Sequence, residues 1–126
     1  MESLHIPATA TTPEVRLDRA SGQLLIQGTS DEMDALGFYF PVIQWMESYV
    51  HHSPAESTVL EIKLLHFNTA SAKALFDVIK HLKQLQKAKK DVEVNWYYDA
   101  DDPVLKEDIE QFCDLTSVPI NAVAGA

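Results

Sequence analysis

Cysteine and glycine are both scarce in this sequence, and each scarcity excludes a class of protein. The 126 residues include one cysteine, Cys113, so an internal disulfide is impossible and a reducing compartment is expected. The four glycines form neither a phosphate-binding loop nor a Gly-x-Ser-x-Gly nucleophile elbow. Because no catalytic set is assembled, we expect a binding or switching domain that is not an enzyme and that uses no cofactor or metal.

Basic residues are also few, and they are unevenly placed. Ten Lys and Arg stand against 19 Asp and Glu, and the formal charge of -9 disfavours nucleic acid and anionic membrane as partners. Five lysines crowd one helix end and six carboxylates crowd the segment after it: Lys80, Lys83, Lys87, Lys89 and Lys90, then Asp99, Asp101, Asp102, Glu107, Asp108 and Glu110. Adjacent patches of opposite charge suit a protein partner, and ordinary solvated helix faces explain them equally well.

Long apolar runs and export signals are missing as well. The first residues, MESLHIPATATTP, lack the basic and apolar regions of a signal peptide, and no apolar run approaches the length of a membrane span. The hydrophobic content of 46% is enough for the core of one domain of this length. We therefore expect a cytoplasmic protein.

Strand and helix patterns alternate along the chain. Residues 14–28 predict a hairpin, 29–50 a helix, 58–67 a strand, 69–85 a helix, 91–98 a strand, 103–112 a helix and 118–124 a last strand. This order is typical of right-handed crossovers in a mostly parallel sheet. The sequence therefore predicts a single α/β domain over residues 1–126, with an N-terminal β-hairpin and three main helices. Residues 1–13 are expected to form a loosely held arm.

Two buried surfaces follow from the apolar patterns. The strand over residues 58–67 is nearly all apolar, which predicts a central strand covered on both faces. The first helix has an apolar stripe at helical spacing, and we expect its members to be buried: Met33, Leu36, Phe40, Ile43, Met46 and Val50.

The stretch HFNTASAKALFDVIKHL, residues 66–82, places three polar residues where one would cap a helix. Asn68, Thr69 and Ser71 lie in the turn between the strand and the second helix, at the sheet edge where α/β domains meet ligands and partners. A phosphate is favoured there because helix N-termini present free N–H groups and a positive dipole end. An over-provided N-cap explains the same residues. From the residues alone both interpretations stay open.

An acidic loop offers a second kind of site. Asp99, Asp101 and Asp102 have the spacing with which many calcium loops begin. The glycine that sharpens such a loop is missing, and Pro103 interrupts the pattern. A helix-capping loop is therefore the preferred interpretation. A small metal-dependent enzyme or nucleotide binder that uses this loop is the alternative.

Several segments of the chain resemble the SiaC family of bacterial regulatory phosphoproteins. They are LHIPAT, GQLLIQG, PVIQWMESYV, LEIKLLHFNTASAK and VNWYYDADDPVL, and together they cover nearly the whole chain. The resemblance implies a fold like that of the STAS domains. That group includes the anti-sigma-factor antagonists, which are phosphorylated at the start of the helix after a central strand.

The resemblance also implies a partner-switching circuit. A protein kinase with a histidine-kinase-like ATPase fold would phosphorylate the domain, and a PP2C-type phosphatase would reverse this. The unphosphorylated form would bind and activate a diguanylate cyclase, controlling cyclic-di-GMP and biofilm formation or aggregation. The phosphoacceptor of the family falls on Thr69, with Ser71 as the second candidate. Asn68, Thr69, Ser71 and Lys73 would shape the turn or contact the partner.

One segment departs from the family pattern. Where relatives carry a Tyr-Pro-Glu-Asn run before the first helix, this chain has Asp31-Glu32-Met33-Asp34. The identity of the output partner is therefore an inference from the family. A constitutive STAS-like protein-interaction scaffold, in which Thr69 only caps the helix, is the other alternative.

Overall fold

The fold is a six-stranded sheet with helices between its parallel strands. The structure, a computed structural model, describes residues 3–52 and 54–124. Its elements are β1 (Ser3–Ile6), β2 (Glu14–Asp18), β3 (Gln23–Ser30), α1 (Ala35–His51), β4 (Ser57–Phe67), α2 (Thr69–His81), α3 (Lys83–Lys87), β5 (Asp91–Tyr98), α4 (Pro103–Thr116) and β6 (Asn121–Ala124). The predicted α/β class, N-terminal hairpin and three main helices are confirmed, and α3 is a short addition.

The strands lie in the sheet in the order in which they occur in the chain. β1, β2 and β3 pair antiparallel, and β3, β4, β5 and β6 pair parallel. Because each crossover steps in the same direction and crossovers are right-handed, α1, α2 and α4 all lie on one face of the sheet. None of the helices in the described part of the chain has the length and apolarity that a membrane crossing requires.

The strand β4 is covered on one face only, so the prediction of burial on both faces was wrong. Leu60 and Ile62 are fully buried beneath the helices, whereas Glu61 and Lys63 point to the open face. Leu65 is apolar but is 88% exposed. The apolar run does not indicate that both faces are covered, because alternate positions of a strand face opposite sides whatever their composition.

The start of the described chain is held more firmly than expected, and residues 1 and 2 of the predicted arm lie outside the described residues. The prediction of a loosely held arm over residues 1–13 was wrong for Ser3–Ile6, which form β1 and pair with β2. Leu4 and Ile6 pack against the core from this edge strand. Alternation of two apolar residues in four is enough to add a strand to a sheet whose neighbour is already formed. Thr12 is buried in the connection that follows.

The face of α1 that packs on the sheet matches the predicted stripe only in part. Met46 and Val50 are buried and Ile43 is partly buried against the core, whereas Met33, Leu36 and Phe40 are exposed. The buried residues of α1 are Ala35, Tyr39, Val42, Trp45, Met46, Tyr49 and Val50. The inward face of this helix is rich in aromatic rings, and Trp45 stacks on Tyr49 with ring centroids 4.8 Å apart.

We predict that two leucines of β4 differ sharply in their contribution to stability. Leu60→Ala removes a side chain with no exposed surface and should lower the free energy of unfolding by about 2–5 kcal/mol. Leu65→Ala removes one that is 88% exposed and should change it by less than about 0.5 kcal/mol. Urea denaturation followed by tryptophan fluorescence measures both values. Equal losses would contradict a sheet that is covered on one face.

Candidate functional site

The polar turn lies at the carboxyl end of β4, where the chain leaves the sheet and enters α2. Asn68 is the N-cap residue, with an extended backbone at φ -89° and ψ 177°, and Thr69 is the first helical residue. β4 is flanked by the parallel strands β3 and β5, so this turn opens at the centre of the carboxyl edge of the sheet. The predicted position of the turn is therefore correct.

Asn68 caps α2 and anchors it to the end of β3 and to the loop after that strand. Its Oδ1 accepts a hydrogen bond from the Ser71 amide at 2.8 Å, and its Nδ2 donates to the carbonyl of Glu32 at 3.0 Å. Its own amide donates to the carbonyl of Ser30 at 3.0 Å. The Asn68 side chain thus accepts from an amide that has no partner within the helix, and it fixes the helix start against the β3–α1 loop.

Ser71 is fully buried, and its hydroxyl belongs to a chain of three hydroxyls. Ser71 Oγ donates to the carbonyl of Ser30 at 2.9 Å and accepts from Ser30 Oγ at 2.8 Å. Tyr39 Oη lies 2.8 Å from Ser30 Oγ. Because Ser30 gives its only hydroxyl proton to Ser71, Tyr39 is the donor in this last bond. The chain links α1, β3 and α2.

Thr69 takes no part in either arrangement. Its side chain is exposed, and its hydroxyl forms no hydrogen bond with any residue in the described part of the chain. Lys73 lies one helical turn further on and is also exposed. The two residues line the same groove. Of the three polar residues in the turn, Asn68 caps the helix and Ser71 is buried in its anchor. The side chain of Thr69 takes part in neither.

Ser30 and Tyr39 were missed by the sequence analysis although they complete the anchor. Ser30 ends β3 and is buried, and Tyr39 belongs to the buried stripe of α1. A serine at the end of a strand carries no signal that it bonds a residue 41 positions later. Tyr39 is spaced from Ala35 and Val42 so that all three lie on one face of the helix. This spacing is the one sequence pattern that indicates that the Tyr39 hydroxyl points inward.

Burial changes the acid–base behaviour of the anchor. Desolvation raises the pKa of Tyr39 to about 12. The phenol therefore stays protonated, and remains able to donate, throughout the physiological pH range.

The acidic loop is occupied by local turn and cap bonds. Asp99 Oδ1 accepts from the amide of Asp101 at 2.9 Å. Asp102 is the N-cap of α4, and its Oδ1 accepts from the amide of Leu105 at 3.1 Å. Within residues 3–52 and 54–124, no group of three or more His, Cys, Asp or Glu side chains has a metal-binding arrangement. The geometry therefore favours the capping interpretation of this loop.

Fold and site together define the class of the protein. The α/β fold here exposes a threonine hydroxyl at the start of a helix, where the free N–H groups and the helix dipole favour a phosphate. The chain belongs to the SiaC family: the family model, described as SiaC family regulatory phosphoprotein, matches residues 6–125. The resemblance is confirmed, and with it the expectation of a regulatory rather than catalytic role.

The known relatives agree in sequence and in structure. An uncharacterized protein of Pseudomonas aeruginosa strain UCBPP-PA14 is 32% identical over 121 residues, which is 94% of either chain. The crystal structure of apo-SiaC from Pseudomonas aeruginosa is 30% identical and superposes with a TM-score of 0.86 over 98% of this chain and 100% of its own. An equal TM-score of 0.86, at 30% identity, is found with the diguanylate cyclase SiaD in complex with its activator SiaC from the same organism, over 97% of this chain and 99% of that one.

We predict that substitutions of the cap residue Asn68 and of its neighbour Thr69 have clearly different effects on stability. Asn68→Ala removes the cap bond and the bond to Glu32, so the free energy of unfolding should fall by about 1–3 kcal/mol. Thr69→Ala removes no hydrogen bond and should change it by less than about 0.5 kcal/mol. Urea denaturation of the two variants compares them. A large loss for Thr69→Ala would show that this threonine is a structural residue.

The raised pKa of Tyr39 predicts a loss of stability in alkali. Its pKa is about 12 in the folded protein and about 10 in the unfolded chain. Because the folded value is higher, the stabilisation is fully present below pH 10 and is lost as the pH rises through 12.

Tyr39→Phe tests this assignment. The variant should be less stable than the parent by about 1 kcal/mol at pH 7, since it removes one buried hydrogen bond. The difference should shrink between pH 10 and 12, as measured by urea denaturation at each pH. A difference that stays constant with pH would mean that Tyr39 does not titrate in this range.

Proposed function

We propose that this protein is a phospho-switch: addition of a phosphate to Thr69 decides whether the domain binds and activates a diguanylate cyclase. The observation that carries the proposal is the Thr69 hydroxyl, which is exposed at the start of α2 and has no hydrogen-bond partner among the described residues. The unphosphorylated form is the activator, and cyclic-di-GMP, with the biofilm or aggregation that it controls, is the output.

Thr69 is preferred over Ser71 as the phosphoacceptor because of access. A kinase must bring ATP to the attacking hydroxyl, and Ser71 Oγ is fully buried and bonded to Ser30 on both sides. Phosphorylation of Ser71 would require the anchor of α2 to open, which would leave buried polar groups unpaired at a cost of about 1–3 kcal/mol each. Thr69 needs no such opening.

The surroundings of Thr69 accept a phosphate without rearrangement. The amides of Ser71 and Ala72 bond to Asn68, so among the described residues those of Thr69 and Ala70 have no acceptor. Together with the positive end of the α2 dipole they favour an anion by about 0.3–1 kcal/mol. Lys73 lies one turn away, where a charge pair with the phosphate adds a few tenths of a kcal/mol.

A phosphate on Thr69 changes the free energy of partner binding more than it changes the free energy of folding. A phosphate adds roughly 1.5 to 2 negative charges. If a partner covers Thr69, leaving that charge desolvated and unpaired costs on the order of 2–5 kcal/mol. This is several times the local gain at the helix start. The switch therefore acts by releasing the partner and leaves the domain folded.

The remaining members of the circuit follow from the family and its relative. Binding of a diguanylate cyclase is supported by the complex of the SiaC relative with SiaD. A kinase with a histidine-kinase-like ATPase fold and a PP2C-type phosphatase would set the phosphorylation state, in the cytoplasm. The segment Asp31-Glu32-Met33-Asp34 borders the site, because Asn68 bonds to the carbonyl of Glu32, so its departure from the family pattern bears on which cyclase is bound.

We predict that kinase and ATP add one phosphate to the parent chain and to Thr69→Ser, and none to Thr69→Val. Valine keeps the branched shape of threonine but has no hydroxyl. The measurement is intact-mass spectrometry after incubation with the kinase from the same genome. Ser71→Ala, checked for folding by circular dichroism, should still accept the phosphate.

Cyclase binding provides the second readout. The phosphorylated parent chain should bind the cyclase from the same genome roughly thirty-fold to several-thousand-fold more weakly than the unphosphorylated chain. Thr69→Val should bind it equally well before and after kinase treatment. If the phosphorylated chain binds and activates the cyclase as well as the unphosphorylated chain does, the switch is refuted.

A further inference from the structure

The strands β4 and β5 part before they end, and a cavity opens between them. The last residue pair that joins them is Ile62 with Trp96, although β4 continues to Phe67 and β5 to Tyr98. The cavity has a volume of about 510 Å³. Residues from both strand ends, from the β5–α4 loop and from the first turn of α4 line it. It therefore lies at the carboxyl edge of the sheet, the same edge as Thr69.

A β-bulge leaves two consecutive residues of β4 exposed beside this cavity. Gly28 pairs with Leu64 and Thr29 pairs with His66, so Leu65 has no partner in β3. Leu65 is 88% exposed and lines the cavity, and His66 is exposed as well. Bulges are over-represented next to functional sites because they change the direction in which side chains point. An apolar side chain is thus presented to solvent at the cavity.

A smaller cavity of about 160 Å³ extends the first one along the start of α4. Leu65 and Asp102 line both cavities. Val104 lines the smaller one and is 65% exposed. Phe67 lines both this smaller cavity and the groove in which Thr69 lies. The two cavities, here called the acidic cleft, therefore run from the end of β5 towards the site of Thr69.

The charge of the acidic cleft is negative and is not compensated by the domain. Four carboxylates line it: Asp99, Asp101, Asp102 and Asp108. None of the four forms an ion pair with any residue in the described part of the chain. Lys63 and His66 also line the cleft, but Lys63 lies over the Tyr97 ring at 5.0 Å and His66 is paired with Asp31 at 3.4 Å. The cleft therefore has unpaired carboxylates beside exposed apolar side chains.

We propose that the acidic cleft is the docking site for a basic segment of the kinase that phosphorylates Thr69. Arginine or lysine side chains of that segment pair with the carboxylates of the cleft. An apolar side chain next to them in the segment packs on Leu65 and Val104. The proposal rests on the proposed function, because it names the surface by which the modifying enzyme recognises the domain.

Electrostatics select a cationic occupant. The chain has a formal charge of -9, and the kinase must bring ATP, itself a polyanion, to the hydroxyl of Thr69. The carboxylates at the same edge of the sheet repel that nucleotide unless cations of the kinase cover them. A basic segment beside the nucleotide pocket of the kinase removes this repulsion and supplies complementary charge. A neutral or acidic segment does neither.

The position of the cleft suits an enzyme better than a partner that detects the phosphate. Asp101 and Leu65 line the cleft but do not line the groove of Thr69. A kinase that docks there holds the domain while the Thr69 hydroxyl stays free to attack the nucleotide. A partner that is released by the phosphate has to cover Thr69 itself.

Phosphorylation kinetics with the kinase from the same genome test the charges. Asp101→Lys should raise the KM for the domain by about fivefold or more and leave kcat unchanged, because docking is lost equally in the ground state and the transition state. The Asp101 side chain forms no hydrogen bond with any described residue, so its replacement leaves the turn intact. Asp114→Lys is the control. It makes the same charge reversal on α4 at a residue that lines neither cavity, and it should change KM by less than about twofold.

Leucine variants test the apolar part of the cleft. Leu65→Ala should raise KM by about threefold or more, whereas Leu36→Ala, at a leucine of α1 that is 64% exposed, should not. High ionic strength should diminish the effect of Asp101→Lys and spare that of Leu65→Ala, because only charges are screened. Circular dichroism and urea denaturation verify that each variant is folded.

Cyclase binding separates the possible outcomes. Asp101→Lys and Leu65→Ala should bind the cyclase from the same genome as the parent chain does. If the kinase phosphorylates both variants with the KM of their controls, the docking site is refuted and the proposed function survives. If the two variants lose cyclase binding as much as kinase docking, the assignment of the cleft to the kinase is wrong. If kinase and ATP add no phosphate to the parent chain, the proposed function fails and this proposal fails with it.

Photocrosslinking tests the identity of the occupant. Benzoylphenylalanine in place of Leu65 should crosslink to one kinase segment that contains arginine or lysine. The same substitution in place of Leu36 should give no crosslink to that segment. A crosslink from position 65 to a kinase segment without a basic residue would overturn the charge argument.

Discussion

The carbonyl of Ser30 is the point on which the site depends. It accepts a hydrogen bond from the amide of Asn68 and another from the hydroxyl of Ser71, so the end of β3 and the start of α2 are held together at one oxygen atom. Tyr39 closes the arrangement from α1 by donating to the hydroxyl of the same serine. Ser30, Tyr39 and Ser71 are buried and each of their hydroxyls is hydrogen-bonded, which makes the anchor costly to break.

A rigid anchor explains how the neighbouring threonine can change its chemistry without changing the fold. Asn68 caps the helix start and Ser71 anchors it beneath, so the side chain of Thr69 takes part in neither hydrogen bond. A phosphate on Thr69, as proposed above, would alter charge at the surface while the bonds beneath it stay in place. Signal and stability would then depend on different side chains of one turn, which is the condition for a switch that works by charge instead of by unfolding.

The order of elements and the place of the turn could be predicted from the sequence, because alternation, helical spacing and capping residues are local signals. What could not be predicted was which of two apolar surfaces packs inward. In α1, Leu36 and Phe40 are four residues apart, as Ala35 and Tyr39 are, so helical spacing alone does not show which pair packs inward. In β4, Leu65 continues an apolar run but faces away from the helices, and only the order of the strands reveals that this face is open.

The apolar residues that were predicted to be buried but are exposed are informative in themselves. Apolar side chains that follow the rules for a core and yet stay exposed, such as Leu36 and Phe40, do not contribute to this fold, so their apolar character calls for a contact outside it. The exposed residues Leu36 and Phe40 lie on α1 alone, after the acidic segment at Asp31. The groove between α2 and α4 is bounded by two helices and has Thr69 at one end. A partner that covered this groove would therefore lie against any phosphate carried by Thr69.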